Sequence, residues 1–156
     1  AIRASLTGHL VFSTIHTNSA WGIVSRLLDM GIPEFLIAST LNLVVAQRLV
    51  RCLCEHCKHP EPITDEQKQI LAGRVRCSSL QKAVGCQKCY HTGFKGRKAI
   101  YEVIPIENVL REKLAESETK IQEELKKQGL QFLSDSALEI LDRGETCFSE
   151  VYQMLI

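Results

Sequence analysis

The chain has 156 residues and a formal net charge of +1, from 19 lysines and arginines and 18 aspartates and glutamates. Hydrophobic residues make up 45% and charged residues 24%, which is the composition of a folding chain and excludes a disordered one. The near-zero charge and the 6% aromatic content argue against nucleic acid as the main partner, because such binding needs a concentrated basic surface or stacking side chains.

The sequence predicts neither a membrane-spanning helix nor a signal peptide in this chain. No apolar run approaches the roughly 18 residues that a membrane-spanning helix needs, and the N-terminus lacks the basic and apolar regions of a signal peptide. The chain begins at Ala1 and not at Met, so we expect it to be a fragment of a longer protein.

The first third of the chain predicts part of an α/β domain, because strand and helix patterns alternate there. The β-branched run that starts at His9 is typical of a buried parallel strand, and Pro33 suits the first turn of a helix. The predicted elements are the end of a helix at 1–7, a strand at 9–15, helices at 20–30 and 34–40, and a strand at 41–53.

The rest of the chain predicts a bounded insert at 54–89 followed by a strand and a helical region. Thr64 is expected to begin a helix in the insert, and Thr146 to cap the last helix of the chain. The other predicted elements are a turn at 92–96, a strand at 97–104, two charged amphipathic stretches at 107–115 and 119–128, and a helix with an apolar stripe over 130–141.

The insert carries two Cys-x-x-Cys pairs, which predict a metal site. Two residues between cysteines allow both thiolates of one pair to face one ion, and two pairs supply the four soft ligands of a closed tetrahedral zinc site. The predicted ligands are Cys54, Cys57, Cys86 and Cys89. A thioredoxin-like redox motif, disulfides and unrelated core cysteines are the alternatives. Because four cysteines leave no open coordination position, the site is expected to be structural.

Three cysteines lie outside these pairs, and three of the five histidines lie beside the pairs. Cys52 lies close enough along the chain to substitute for a ligand, whereas Cys77 and Cys147 are expected to be small buried apolar residues. The histidines beside the pairs are weaker alternative ligands: His56, His59 and His91.

Two histidines flank the predicted strand at 9–15. In a parallel α/β sheet, ligands bind at the carboxyl ends of strands, so His16, just past the strand, is the functional candidate. On the residues alone, His16 is better explained as a surface or capping residue.

The full string of residues resembles the secretion ATPase superfamily, in its type II secretion and type IV pilus assembly branch. The family's histidine box is matched by Gly8-His9 and His16-Thr17-Asn18, and its tetracysteine insert by the two Cys-x-x-Cys pairs. The segments ASLTGHLVFSTIHTNSA, RLLDMGIPEFLIASTLNLVVAQRLVRCLC and TGFKGRKAIYEVIPI extend the resemblance over essentially the whole chain.

The resemblance implies an α/β fold: the C-terminal portion of a RecA-like P-loop NTPase domain with a tetracysteine zinc insert and a C-terminal helical subdomain. The implied boundaries are 1–53 for the ATPase core, 54–89 for the zinc insert, and 90–156 for a strand and the helical subdomain. The sequence contains no G-x-x-x-x-G-K-[ST] phosphate-binding loop, and the family's Mg²⁺-associated acidic strand would lie upstream. The chain alone is therefore expected to be inactive.

By the resemblance, His16 would reach the γ-phosphate of ATP in the full-length protein, and His9 would be a second contact with a mainly structural role. Arg97 would lie near the nucleotide or at a subunit contact. The implied cofactors are structural Zn²⁺ together with ATP and Mg²⁺. The implied assembly is a homohexamer at the cytoplasmic face of the inner membrane, acting on secretion or pilus platform proteins and on no nucleic acid. A zinc-stabilised nucleic-acid-binding module and an adaptor unrelated to ATP are the alternatives.

Overall fold

A computed structural model describes residues 1–113 and 118–156 of the chain. The chain divides into two compact units, and each is assembled from two separate stretches of sequence. The first unit contains Ala1–Ala46 and Glu102–Gln131, and the second contains Gln47–Tyr101 and Phe132–Ile156. No helix of the described ranges is long and apolar enough to cross a membrane.

Helices and strands both contribute, so the mixed α/β content expected from the sequence is confirmed. The described α-helices are α1 (Ile2–Leu6), α2 (Gly22–Asp29), α3 (Glu34–Thr40), α4 (Asp65–Leu71), α5 (Asn108–Arg111), α6 (Glu118–Lys127), α7 (Leu133–Asp142) and α8 (Phe148–Val151). The strands are β1 (Leu43–Leu53), β2 (His59–Pro62), β3 (Ser79–Lys82) and β4 (Phe94–Pro105), and short 3₁₀ helices cover Gln87–Cys89 and Tyr152–Met154.

The four strands form two separate two-stranded sheets, β1 with β4 and β2 with β3. Strands β2 and β3 are antiparallel, with His59 opposite Lys82 and Pro62 opposite Ser79. Strand β1 buries Val44, Ala46 and Val50 while the residues between them are exposed or half-buried. This alternation with period two is the pattern of a strand that faces a core on one side only.

The core of the first unit lies around α2 and α3 and the helices after β4. The side chain of Trp21, directly before α2, is 2% exposed. Pro33 occupies the N-cap position of α3, where its missing amide leaves no donor unsatisfied. The other fully buried large residues of this unit are Val24, Ile37, Ile104, Leu110, Ile121 and Leu125.

The core of the second unit is formed by α4, β3 and the apolar stripe of α7. Helix α4 begins at Thr64 with a capping box: Thr64 Oγ1 accepts from the Gln67 amide, and the Gln67 side chain accepts from the Thr64 amide. The sequence prediction of a helix start at Thr64 is therefore confirmed. Buried apolar residues of this core include Leu71, Leu80, Ala137, Leu141 and Val151.

The predicted strand at 9–15 is wrong. This segment has no regular secondary structure, and the side chains of Leu10 and Phe12 are 84% and 86% exposed. A strand exists only when its backbone amides and carbonyls pair with those of a neighbour. Neither sheet within the described ranges includes this segment. The segment therefore has the apolar, β-branched composition of a strand but is not paired as one.

Three further predictions need correction at element ends. Strand β4 already begins at Phe94, in the segment predicted to be a turn. Thr146 does not cap α8: Cys147 is the N-cap residue, and Thr146 Oγ1 donates to the Arg51 carbonyl at 2.8 Å. The stretch predicted to be helical at 107–115 contains the four-residue helix α5, and its last two residues lie outside the described ranges.

Candidate functional site

The four cysteines of the two Cys-x-x-Cys pairs form one cluster in the second unit. Their sulfur atoms all lie within 4.8 Å of one another. The Sγ–Sγ separations are 4.0 Å for Cys54 and Cys86, 3.8 Å for Cys57 and Cys89, and 3.8 Å for Cys86 and Cys89. The structure thus brings together the four residues predicted as metal ligands, which lie up to 35 positions apart in sequence.

The spacing of these sulfurs fits a tetrahedral metal ion. A zinc–sulfur bond of about 2.3 Å places two ligands of a regular tetrahedron roughly 3.8 Å apart. The observed separations are too long for disulfide bonds, whose sulfurs lie about 2.05 Å apart, and all seven cysteines are free. Cys54 and Cys89 are buried, so an ion held here would be largely shielded from water.

The first pair follows directly from the end of β1. The amides of Cys57 and Lys58 both donate to the Cys54 carbonyl, at 3.1 and 2.9 Å, which curls the chain so that both sulfurs face the same side. The Cys54 amide donates to the Gly93 carbonyl at 2.9 Å and so connects this turn to the segment that follows the second pair.

The second pair is shaped by the 3₁₀ helix and by two glycines that flank it. Gly85 has a φ of +109°, and a Cβ at this position would lie 2.6 Å from the His91 carbonyl oxygen. Gly93 has a φ of +79°, and a Cβ there would lie 2.7 Å from the Ala83 Cβ. Both positions combine a left-handed backbone with a close neighbour, so only glycine fits them without distortion.

Backbone amides point at the cysteine sulfurs. The amides of Cys86 and Gly93 donate to Cys89 Sγ at 3.1 and 3.3 Å, and the Gly85 amide donates to Cys57 Sγ at 3.3 Å. Desolvation raises the pKa of Cys57 to about 11, whereas for Cys89 the hydrogen bonds from these amides and the neighbouring thiols outweigh desolvation and lower the pKa to about 6. Amide donors of this kind stabilise thiolate sulfur, which is the form that binds a metal.

The segment between α7 and α8 is attached to the first cysteine pair. The Leu53 amide, directly before Cys54, donates to the Glu145 carbonyl at 2.8 Å. Lys58 Nζ donates to the Gly144 carbonyl at 3.2 Å, and Lys98 Nζ forms an ion pair with the Glu145 carboxylate at 2.5 Å. The segment between α7 and α8 therefore supports the cysteine cluster, a connection that the sequence does not predict.

An ion pair between an exposed arginine and a half-buried glutamate also joins β1 to α8. Arg51 donates to Glu150 through Nε at 3.0 Å and through an Nη at 2.6 Å, and its guanidinium lies 4.0 Å from the centre of the Phe94 ring. The hydrogen bonds from Arg51 lower the pKa of Glu150 below its usual value. This paired geometry holds α8 to the strand that leads into Cys54.

The remaining cysteines and histidines lie outside the cluster of four found within the described residues. Cys147 is buried, and Cys52 and Cys77 are half-buried. His56 Nδ1 lies 3.4 Å from Lys88 Nζ, and His59 Nδ1 lies 2.9 Å from the Pro60 carbonyl.

The histidine segment lies in the first unit. Both histidines are exposed. His9 Nδ1 lies 3.1 Å from Thr7 Oγ1 and 3.2 Å from the Ala4 carbonyl, so one ring nitrogen of His9 is engaged by its own chain neighbours. His16 directly precedes a hydrogen-bonded turn at 17–22. Because 9–15 is not a strand here, the strand-end argument for His16 has no support in this structure.

Arg97, the predicted nucleotide-proximal residue, is exposed on β4 and belongs to the second unit. Sequence reasoning missed another residue of β4, Glu102, which is 4% exposed and lies in the first unit. A signal was present: Glu102 alternates with Ile100 and Ile104, both buried, so a charged residue occupies the inward face of an apolar strand.

Comparison with known protein sequences identifies the family of this chain. The sequence profile of the family described as "Type II/IV secretion system protein" matches residues 1–153. The chain belongs to this family. The family identified from the histidine box and the cysteine pairs is thereby confirmed, because the match extends over nearly the whole chain and not over one motif.

Relatives are found in both secretion and pilus systems. The chain is 42% identical to Type II secretion system protein E of Aeromonas hydrophila, covering 99% of this chain and 31% of that protein. It is 44% identical to Type IV pilus assembly ATPase PilB of Myxococcus xanthus, covering 96% and 28% respectively. It is 41% identical to Type II secretion system ATPase E of Vibrio cholerae, covering 99% and 31%. The chain spans about a third or less of the length of these relatives.

Proposed function

We propose that this chain is the C-terminal part of a hexameric ATPase that powers type II secretion or type IV pilus assembly. The observation that carries the proposal is the family match over residues 1–153, together with relatives named as ATPases at 41% and 44% identity. Relatives of both kinds match about equally well, so the proposal covers both systems. The intact protein would act at the cytoplasmic face of the inner membrane on platform proteins of its system.

The chain would form the C-terminal portion of a RecA-like P-loop domain, with 1–53 in the ATPase core, 54–89 as the zinc insert and 90–156 as a strand and helical subdomain. The exposed apolar side chains of Leu10 and Phe12 support this placement. A segment of strand composition that exposes such side chains is suited to pair with strands outside this chain.

Cys54, Cys57, Cys86 and Cys89 would hold a structural Zn²⁺. Four thiolates complete its coordination, so the ion supplies folding energy and no reaction chemistry. The pre-arranged sulfurs and the amides aimed at them support this assignment.

The nucleotide roles would belong to the histidine segment. His16, which is exposed, would donate a hydrogen bond to the γ-phosphate of bound MgATP. His9, whose Nδ1 contacts Thr7 and Ala4, would act mainly on the conformation of the segment. Arg97 would lie near the nucleotide or at a subunit contact. ATP and Mg²⁺ supply the triphosphate and its charge neutralisation when bound.

The 156-residue chain alone would be inactive, because its sequence contains no phosphate-binding loop. The backbone amides and the lysine of such a loop provide most of the attraction for a triphosphate. The proposal is tested by measuring ATP hydrolysis of the purified full-length protein and of this chain. We expect the folding stability of both proteins to depend on zinc and ATP turnover to occur only in the full-length protein. Turnover by the chain alone, or none by an assembled full-length protein, would refute the proposal.

Nucleic-acid binding is the competing function. The charges of the insert lend it little support, since two of its lysines are paired with carboxylates, Lys58 with Glu55 and Lys82 with Glu61. A titration with duplex and single-stranded DNA at low salt distinguishes the two functions: micromolar affinity with a steep salt dependence would favour nucleic-acid binding.

A further inference from the structure

Glu102 is a buried charged residue on the inward face of β4. Its side chain is 4% exposed. Within the described residues, Glu102 and Thr146 are the two buried polar side chains. A buried carboxylate is costly unless hydrogen-bond donors satisfy it. We therefore expect the Glu102 carboxylate to accept hydrogen bonds from groups in the core.

The Glu102 carboxylate accepts a hydrogen bond from the Ala20 amide at 3.1 Å, and this contact joins residues 82 positions apart. Ala20 is completely buried and Trp21, next to it, is 2% exposed. Water is thus excluded from the contact, and a hydrogen bond to a charged acceptor in such surroundings is stronger than one at the surface.

Ala20 belongs to a tight turn that connects His16 to α2. Thr17 Oγ1 donates to the Ser19 carbonyl at 2.9 Å, and the Gly22 amide donates to Ser19 Oγ at 3.1 Å. A Cβ on Gly22 would lie 3.0 Å from Ser19 Oγ, so the turn packs closely against the Ser19 side chain. Because hydrogen bonds at Thr17 and at Gly22 fix both ends of this turn, the turn restricts the direction from which the chain arrives at Thr17.

The turn also begins α2, whose first bonds run from the Ile23 amide to the Ala20 carbonyl and from the Val24 amide to the Trp21 carbonyl. Glu102 therefore lies at the amide end of an eight-residue helix. The partial positive charge of that end favours a carboxylate over a neutral group. One side chain thus satisfies an amide, complements the helix and anchors the turn.

We propose that Glu102 is a positioning residue that holds the turn at 17–22 and thereby places His16. The proposal rests on the nucleotide role proposed for His16. Glu102 touches neither nucleotide nor reacting atoms in this scheme; it acts through the Ala20 amide, and the turn transmits the constraint to the histidine one residue before Thr17.

The test compares Glu102→Ala and Glu102→Gln in the full-length protein. Glutamine keeps an acceptor oxygen for the Ala20 amide, whereas alanine leaves that buried amide without a partner. Hydrogen exchange of the peptide that contains Ala20 should accelerate at least about 10-fold in Glu102→Ala and much less in Glu102→Gln. Glu107→Ala, which removes an exposed carboxylate two positions past the end of β4, is the matched control and should change neither exchange nor turnover.

Turnover separates positioning from general destabilisation. We expect Glu102→Ala to lower kcat by about 10- to 100-fold, the range for a displaced catalytic group, with KM for ATP nearly unchanged and with recovery in Glu102→Gln. If Glu102 acts through His16, adding Glu102→Ala to His16→Ala should lower kcat no further. Multiplicative losses in the double variant, or normal exchange in Glu102→Ala, would overturn the proposal. A purely structural role would lower the folded fraction and leave kcat per folded molecule intact, which also overturns it.

The two proposals can fail separately. If His16→Ala retains full turnover, the nucleotide role of His16 is refuted, and the exchange data still decide whether Glu102 holds the turn. If His16→Ala is inactive but Glu102→Ala is fully active, the positioning role alone is refuted.

Discussion

Replacing one cysteine of the cluster tests whether the metal site stabilises the fold. The Sγ–Sγ separations of 3.8 to 4.0 Å match the roughly 3.8 Å spacing of a tetrahedral zinc–sulfur site, so the thiols need little rearrangement to bind an ion. Cys86→Ser removes one ligand and one of the two closest sulfur contacts. We expect the zinc content to fall from about one ion per chain to nearly zero.

The expected loss of stability follows from binding linkage. A native state saturated at free zinc about 100-fold above the dissociation constant gains ~2.7 kcal/mol, with ~1.4 kcal/mol for each further tenfold excess. The unit that carries the cysteines has about 80 residues, and in a domain of that size ~1 kcal/mol shifts Tm by roughly 4–8 °C. Cys86→Ser should therefore melt roughly 10–20 °C below the unmodified protein in the same zinc buffer.

The measurements are metal analysis by mass spectrometry and calorimetric melting in zinc-buffered solution. Cys77→Ser is the matched control, because Cys77 is also half-buried, lies in the same unit and is outside the cluster. It should keep its zinc and most of its Tm. A Cys86→Ser protein that retained one zinc and an unchanged Tm would refute the structural role, as would equal losses in both variants.

Three further perturbations have defined outcomes. In the full-length protein His16→Ala should lower ATP turnover by about 10- to 1000-fold with zinc content and Tm nearly unchanged, and His9→Ala should lower it less; the reverse order would exchange their roles. Gly85→Ala should lower both zinc content and Tm, because the new Cβ meets a backbone oxygen at 2.6 Å. Gly96→Ala, with φ +83° and no atom within 4 Å of the new Cβ, should lower the free energy of chemical unfolding by only about 1–2 kcal/mol. Equal losses of stability in the two variants would contradict this. The lowered pKa of Glu150 means that its ion pair stabilises the fold above the usual glutamate pKa of about 4.3 and that this contribution disappears as the pH falls through the lowered value. Glu150→Gln should therefore flatten the acid limb of a stability–pH curve, and an unchanged limb would contradict the assignment.

The sequence by itself determined the features that depend on residues close together along the chain. Two residues between cysteines create a turn in which both sulfurs face one side, and the carbonyl of Cys54 accepts from the amides of the same turn as that spacing requires. The start of α4 at Thr64 is equally local, since the capping box involves residues three positions apart. The family was also recognisable from the sequence, because the histidine box and the cysteine pairs occur together in it.

Only the tertiary structure decided the features that depend on distant partners. The segment at 9–15 has strand composition and yet is not a strand, because a strand requires a hydrogen-bonded neighbour and the described part of the chain provides none. Thr146 has the side chain of a helix cap but bonds to Arg51, 95 positions away, because burial against β1 offers its hydroxyl a better acceptor. Glu102 is the clearest case, because its hydrogen bond with the Ala20 amide spans 82 positions. The residues around Glu102 in the sequence do not predict which amide will donate to its buried carboxylate.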